Sequence, residues 1–199
     1  MAKGRGKQAK ILSEENEALV LVTLHESGRY RLRNRVMFLL SVKAGLRAKE
    51  IACLTWGMVT DASGGIGNAI LLEDIASKGA GGRTVGMNGQ LRDAIVELHA
   101  AFEAPPHPDS TVIRSERGGP MSAHSVVEWF GDFYRRVGFN GCTSHSGRRT
   151  FITRGARKCS QVGASLRDVQ MLAGHASLAT TERYIEGDSD AQRRLVDLI

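Results

Sequence analysis

The cysteines can build neither a disulfide framework nor a zinc site. Cys53, Cys142 and Cys159 are odd in number, far apart and free of any C-x-x-C spacing, which points to a reducing interior. Long apolar runs are also missing. The longest, "ALVLVTL" and "VMFLLSV", fall far short of the ~20 residues that cross a bilayer. Glu14, Glu15 and Glu17 interrupt anything resembling a signal-peptide core. A soluble, unexported, cytoplasmic protein is therefore expected, with no membrane partner. There is no Walker loop, because Gly6 and Lys7 are followed by Gln8 rather than Ser or Thr, and no acidic cluster demands Mg²⁺. Neither a nucleotide cofactor nor a metal is expected.

Acids are absent from the first ten residues. "MAKGRGKQAK" holds four of the 27 Lys and Arg and none of the 21 Asp and Glu, so most of the formal charge of +6 lies in this tail and the body from Ile11 onward is near neutral. Lys3, Arg5, Lys7 and Lys10 suit a polyanionic partner, with a solvated, disordered terminus as the alternative. The 42% hydrophobic content of the 199 residues allows one full-sized core. Residues 1–12 read as the basic tail and 13–199 as the folded domain.

The patterning is mainly helical. Ser13 followed by Glu14 and Glu15 reads as a helix cap with acids in the first turn, and Ala18, Leu21, Val22 and Leu24 supply an apolar stripe. A second helix is expected from about Tyr30 to Ala44, interrupted by Gly45, with "RAKEIACLTW" resuming. The period then changes: "GMVT", "AILLE" and "RTVGM", separated by glycine-rich stretches, suggest a small antiparallel sheet of about three strands. "QLRDAIVELHAAF" is helical again and must stop at Pro105 and Pro106, which lack N–H groups. After Ser122, the residues Val126, Trp129, Phe130, Phe133, Tyr134 and Val137 fall on one helical face, so Tyr134 reads as a packing residue. Further helices are expected over about 144–158, 165–173 and 177–187, followed by the amphipathic "SDAQRRLVDLI". The fold class is α+β, mainly α.

Several polar residues stand out against this background. In "TSHSGRRTFI", His145 and Arg148 lie three apart near a helix start capped by Thr143 or Ser144, so both side chains project from one face and can grip one small anion. Arg149 points ~100° away and reads as a structural or DNA-backbone contact. "AGLRAKE" places Arg47 at another helix start, with Glu50 one turn on, able to orient the guanidinium or a neighbouring histidine. Lys78 lies in a turn between two strands, and "GHASLATTERYI" sets His175 nine residues before Tyr184. Each has a plain alternative when taken alone: a surface ion pair, a salt bridge, a solvated lysine.

The order of these residues changes the reading. The stretches "AGLRAKEIACLTW", "SKGAGGRTVGM", "SHSGRRTFIT" and "LAGHASLATTERYI" resemble, in the same order, the catalytic domain of the tyrosine recombinases, the phage-integrase family. The likeness covers roughly residues 18–184, and the His-to-Tyr spacing after L-x-G-H is its most specific part. The resemblance implies that family's fold and makes Arg47 and Arg148 an arginine pair, Lys78 a β-turn lysine, His145 and His175 the histidines and Tyr184 a nucleophile. It implies a site-specific recombinase that cuts and rejoins double-stranded DNA through a 3′-phosphotyrosine, without metal or ATP, in a bacterial or phage setting. A silent DNA-binding regulator of the same fold and a type IB-like topoisomerase are the alternatives.

The same resemblance implies a monomer in solution and a tetramer on paired DNA sites, with accessory DNA-bending proteins as further partners. Two departures stand out. Only about a dozen residues precede the first helix, where most relatives carry a separate helical clamp; this is as in the short fimbrial phase-variation recombinases, or in a truncated fragment. The connection "ARKCSQVGAS" is a few residues longer than usual, and a surface loop is expected to absorb it. If the tail binds DNA, removing residues 1–10 weakens binding and flattens its dependence on salt, because fewer counterions are released. Binding measured across a salt series checks this, and an unchanged slope returns the tail to the disordered alternative.

Overall fold

The computed structural model describes residues 8–26, 28–73, 82–184 and 196–197. Chain contacts divide it into two compact units, one up to Phe151 and one from Ile152 onward, with the division falling inside one helix.

The first unit is organised around a helix buried on nearly every side. Helix α1 (Glu14–Glu26) starts at Ser13, whose hydroxyl accepts the Asn16 N–H (3.1 Å), with three glutamates in its first turn. Its buried face is Glu17, Val20 and Leu24, whereas Ala18, Leu19 and Val22 face out. The expected stripe through Ala18 and Val22 is thus displaced. The i, i+4 pair Val20 and Leu24 makes the contact, and Glu17 is buried one turn earlier because it pairs with Lys43. Helix α2 (Arg31–Lys43) buries Val36 to Val42 without a break, which fits a helix covered on all faces. It packs against α1 and against α4 (Gly89–Ala100). Helix α3 (Ala48–Cys53) packs on α5 (Ala123–Arg136), whose Ser122 cap accepts the Ser125 N–H at 3.0 Å. From α5, Val126, Phe130, Phe133 and Tyr134 enter the core beside Phe38 and Trp56.

The sheet has two strands among the described residues. Strand β1 (Ala69–Leu72) pairs antiparallel with β2 (Arg83–Gly86), with Ile70 opposite Val85 and Leu72 opposite Arg83. Ile70, Leu72 and Val85 face the core. The expected first strand, "GMVT", is a turn instead, because the Val59 and Thr60 N–H groups fold back onto the Trp56 carbonyl. It still touches the sheet, with the Leu71 N–H donating to the Met58 carbonyl at 2.8 Å. Helix α4 ends at Ala100, before the two prolines, with the Ala101 N–H already turning back to the Leu98 and His99 carbonyls.

Helix α6 (Ser146–Lys158) contains the division between units. Its first turn approaches α2 so closely that a Cβ on Gly147 would lie 2.3 Å from the Ser41 hydroxyl oxygen. The chain before α1 is tied to the same region: the Lys10 N–H donates to the Gly141 carbonyl (3.2 Å) and the Leu12 N–H to the Thr150 hydroxyl (2.9 Å). Gln8 accepts from Arg149. Gln8 and Lys10 therefore belong to the folded body, and a truncation that isolates the charge of the tail stops at Lys7. Lys3, Arg5 and Lys7 lie outside the described residues.

In the second unit, α6 leads into an exposed 3₁₀ turn (Cys159–Val162), closed by Gly163 at φ 71°, which takes up the lengthened connection. Helix α7 (Leu166–Ala173) starts at a reciprocal Ser165–Asp168 capping box and ends at Gly174; α8 (Leu178–Glu182) follows. Of "SDAQRRLVDLI", only residues 196–197 are described. Among the described residues no helix is long and apolar enough to cross a membrane.

The contact at Gly147 separates two substitutions that look alike in sequence. Gly147→Ala overpacks the α2–α6 crossing and is expected to cost about 1–3 kcal/mol. Gly131→Ala, in the middle of α5 with nothing within 4 Å of its added Cβ, is expected to gain about 0.5–1 kcal/mol. Thermal unfolding of the two variants checks the opposite signs.

Candidate functional site

In the first unit the polar centre is a buried carboxylate. Gly45 ends the approach from α2 at φ 64°, where a Cβ would strike the Phe151 ring at 2.4 Å. The chain can therefore turn sharply and begin α3 at Arg47. Arg47 is the N-cap and Glu50 the N3 residue, and Glu50 reaches back to accept the Arg47 N–H (2.8 Å). The same carboxylate accepts Arg47 Nη1 at 2.7 Å and a fork from Arg83, Nη1 at 2.8 Å and Nη2 at 2.9 Å. With four hydrogen bonds its acceptor capacity is filled. Glu50 is 1% exposed, against 30% for the Arg47 side chain and 10% for that of Arg83.

Burial on its own pushes the Glu50 carboxyl upward. The hydrogen bonds from Arg83 and the Arg47 N–H, together with the charges of both guanidiniums, outweigh it and hold the carboxyl below its ordinary value. Among the described residues, two guanidiniums answer this one carboxylate.

Arg148 belongs to the same unit. It is buried on α6, and its Nη1 donates to the Gly45 carbonyl at 2.6 Å, so it is anchored two residues from Arg47. His145 does not share that setting. It lies just ahead of α6 and is exposed, its N–H donating to the Thr143 hydroxyl at 3.2 Å, whereas Arg148 three residues on is buried. The two residues therefore differ in depth. Arg149 is buried and donates to Gln8. Lys78 lies outside the described residues.

In the second unit the L-x-G-H pattern has a local cause. Gly174 adopts φ 60°, which only glycine takes readily, and the His175 N–H then bonds back to the Gln170 carbonyl at 3.1 Å. Gln170 returns the contact, its Nε2 donating to the His175 carbonyl at 2.9 Å. The backbone of His175 is thus clamped from both sides. Its ring stacks on Tyr184, with centroids 5.4 Å apart and planes 25° apart, and its Nδ1 lies 3.0 Å from the Thr181 hydroxyl. Tyr184 is held through its backbone, its N–H donating to the Thr181 carbonyl (3.0 Å) and its carbonyl accepting from the Thr153 hydroxyl (3.1 Å).

The chain has three tyrosines, and their settings differ. Tyr134 is fully buried, its hydroxyl has no partner among the described residues, and burial, with Cys142 and Glu17 nearby, pushes its phenol far above the ordinary value. Tyr30 lies under the Arg33 guanidinium, 4.5 Å from the ring centroid. Tyr184 alone among them stacks on a histidine.

Arg83, Gln170, Thr153 and Thr181 carry contacts that the motif reading passed over. Nothing in the sequence marks Arg83, because the burial of Glu50 that calls for a second cation is visible only in the fold.

The chain matches the model of the phage integrase family over residues 11–190. It is 28% identical over 185 residues to the tyrosine recombinase XerC of Xylella fastidiosa (strain 9a5c), covering 92% of this chain and 58% of that protein. The chain therefore spans little more than half the length of that curated relative. Among solved structures it is similar in fold to the Tn1549 transposon integrase in complex with transposon right end DNA (TM-score 0.75, 18% identity, 100% of this chain and 68% of that one). It is likewise similar to the XerA recombinase (TM-score 0.70, 22% identity, 97% and 66%). The mainly helical fold with a small antiparallel sheet is the fold of these proteins.

The Glu50 cluster makes a pH prediction. A carboxyl held below its ordinary value contributes stability that is present above the unfolded-state pKa of about 4.3 and is lost as pH falls through the lower folded value. Glu50→Gln is expected to remove that acid-side loss, so its stability changes less with pH below about 4 than that of the unaltered chain. Arg83→Gln, which leaves the buried carboxylate short of a cation, is expected to cost about 3–5 kcal/mol near neutral pH. Denaturant unfolding across a pH series checks both.

Proposed function

Because the chain belongs to the phage integrase family, we propose that it is a site-specific DNA strand-transfer enzyme of bacterial or phage origin, acting on double-stranded DNA in the bacterial cytoplasm. The observation that carries the reading is the setting of Tyr184, which is paired with a histidine whereas Tyr134 is sequestered in the core. The fixed guanidiniums of Arg47 and Arg148 support it, since two planar cations suit the non-bridging oxygens of a phosphodiester.

The chemistry follows from what phosphoryl transfer requires. The Tyr184 oxygen attacks phosphorus in line with the bond to the 5′ oxygen. As the P–O5′ bond breaks, a 3′-phosphotyrosine forms, and the departing 5′ oxygen takes a proton from Lys78. A phenol of pKa about 10 is a poor nucleophile at neutral pH, so His145 acts as base, helped by the field of the arginines. Arg47 and Arg148 stabilise the charge that gathers on the non-bridging oxygens, and His175 donates a hydrogen bond to one of them. A 5′-hydroxyl from another strand then attacks the phosphotyrosine, restoring a phosphodiester and releasing the phenol. The bond energy is kept in the covalent link, so no ATP is consumed.

Both structural neighbours are named for DNA transposition or recombination, and one is complexed with DNA, which supports duplex DNA as the partner. Assembly follows the family reading: a monomer when free and a tetramer on paired sites. A regulator that binds without cutting predicts no covalent product.

The test uses a library of nicked random-sequence duplexes and looks for protein–DNA adducts that survive denaturation. The unaltered chain is expected to form adducts mapped to Tyr184, and Tyr184→Phe to bind DNA and form none. DNA attached to Tyr30 or Tyr134, or no adduct from the unaltered chain, overturns the assignment. Arg47→Lys and Arg148→Lys, which keep the charge and lose the fork, are each expected to slow adduct formation by about 10²–10³. A rate within a few-fold of the unaltered chain would return them to structural ion pairs.

A further inference from the structure

We propose that Thr181 is a positioning residue that fixes His175 as the tautomer protonated at Nε2, so that this nitrogen presents a hydrogen-bond donor to an anionic oxygen. The inference deepens the role given to His175 above and rests on that reading for its catalytic meaning.

Thr181 is fully buried in α8, and its hydroxyl lies 3.0 Å from His175 Nδ1. The hydroxyls of Thr23, Thr60 and Thr150 each donate to the carbonyl four residues earlier, of Leu19, Trp56 and Ser146. That of Thr181 makes no such bond, and among the described residues its one hydrogen bond is to the ring nitrogen of His175. A buried hydroxyl proton needs an acceptor. With Nδ1 as the acceptor on offer, the hydroxyl donates to it, Nδ1 carries the lone pair, and the neutral imidazole bears its proton on Nε2. The opposite tautomer would point Nδ1–H at the Thr181 oxygen and leave the hydroxyl proton buried without an acceptor.

The surrounding contacts hold this pair at several points. Gln170 holds the His175 backbone at both its N–H and its carbonyl, so the ring is free only in its side-chain torsions. The Tyr184 ring stacks on one face of the imidazole, and Thr181 fixes one edge. The Thr181 carbonyl also receives the Tyr184 N–H. One residue therefore ties the histidine by its side chain and the tyrosine by its main chain, which gives a physical reason for a threonine three residues before Tyr184.

The test reads the tautomer directly. The full chain, free of DNA and ¹⁵N-labelled at histidine, is examined by two-bond nitrogen–proton correlation at about pH 8, above the ordinary imidazole range. His175 is assigned by difference from His175→Gln. The unaltered chain and Thr181→Ser, which keeps the hydroxyl, are expected to show Nε2–H at His175. Thr181→Val, similar in shape without the hydroxyl, is expected to show a mixture or the other tautomer. An unaltered chain with Nδ1–H, or a valine variant with the spectrum unchanged, overturns the proposal.

A second reading uses the adduct assay at saturating DNA. Thr181→Val is expected to slow the reaction about ten-fold or more, the scale on which outer partners of functional histidines act, with DNA affinity changed less than two-fold and Thr181→Ser close to the unaltered chain. A valine variant as fast as the unaltered chain overturns the positioning role. A His175→Gln variant of normal rate would instead overturn the reading of His175 itself, with the spectrum still deciding the tautomer.

Discussion

A carboxylate buried at 1% exposure is stable only if its charge is answered on the spot, and Glu50 is answered by two guanidiniums and a backbone N–H. That requirement links pieces of chain that local propensity leaves independent. Arg83 opens β2, so the pairing of Leu72 with Arg83 is fastened to the start of α3. Arg47 is the cap of α3, so its guanidinium and its backbone are held by one acceptor. The Gly45 carbonyl, two residues earlier, takes Arg148 from α6. For α6 to come near enough, residue 147 must lack a side chain where it meets Ser41. One unfavourable burial, made tolerable, thereby sets a strand end, a helix start and the place of a second arginine.

The second unit reaches order by another route. Here no ion pair is buried among the described residues, and each side chain is placed by first fixing its backbone. Gly174 allows the reversal that brings the His175 N–H to Gln170, and Thr153 and Thr181 hold Tyr184 at its carbonyl and N–H. Only then do the rings stack. Hydroxyls and amides cost less to bury than charges when satisfied, which suits short helices such as α8, with five residues.

How far the sequence was legible depended on the range of each interaction. Caps are local, and Ser13, Ser122 and Ser165 mark their helices as read. Tyr134 was legible as core because five other apolar residues share its face. The stripe of α1 was misread because periodicity cannot say that a glutamate, Glu17, joins the buried face when Lys43 waits across the contact. "GMVT" has strand-like residues, yet the Trp56 carbonyl captures the N–H groups of Val59 and Thr60 before a ladder can form. Residue order along the chain singled out Arg47, Arg148, His175 and Tyr184 as candidates. It could not find Arg83, whose partner lies 33 positions away, nor separate exposed His145 from buried Arg148, since spacing carries no depth.

The two modes of anchoring differ in what they hold ready. A guanidinium locked by a saturated carboxylate has met its ordering cost before any substrate arrives, and it keeps its charge at every physiological pH. A histidine carries no such fixed state, because either nitrogen can bear the proton and the ring can turn. Its usefulness depends on a neighbour that chooses for it. A carboxylate on Nδ1 would choose the opposite tautomer, since an ionised carboxylate only accepts; a buried hydroxyl with no other acceptor chooses by donating. Glu50 and Thr181 thus solve related problems with different chemistry. The acid fixes cations that need no tautomer, and the hydroxyl fixes a ring whose value lies in which nitrogen holds the proton.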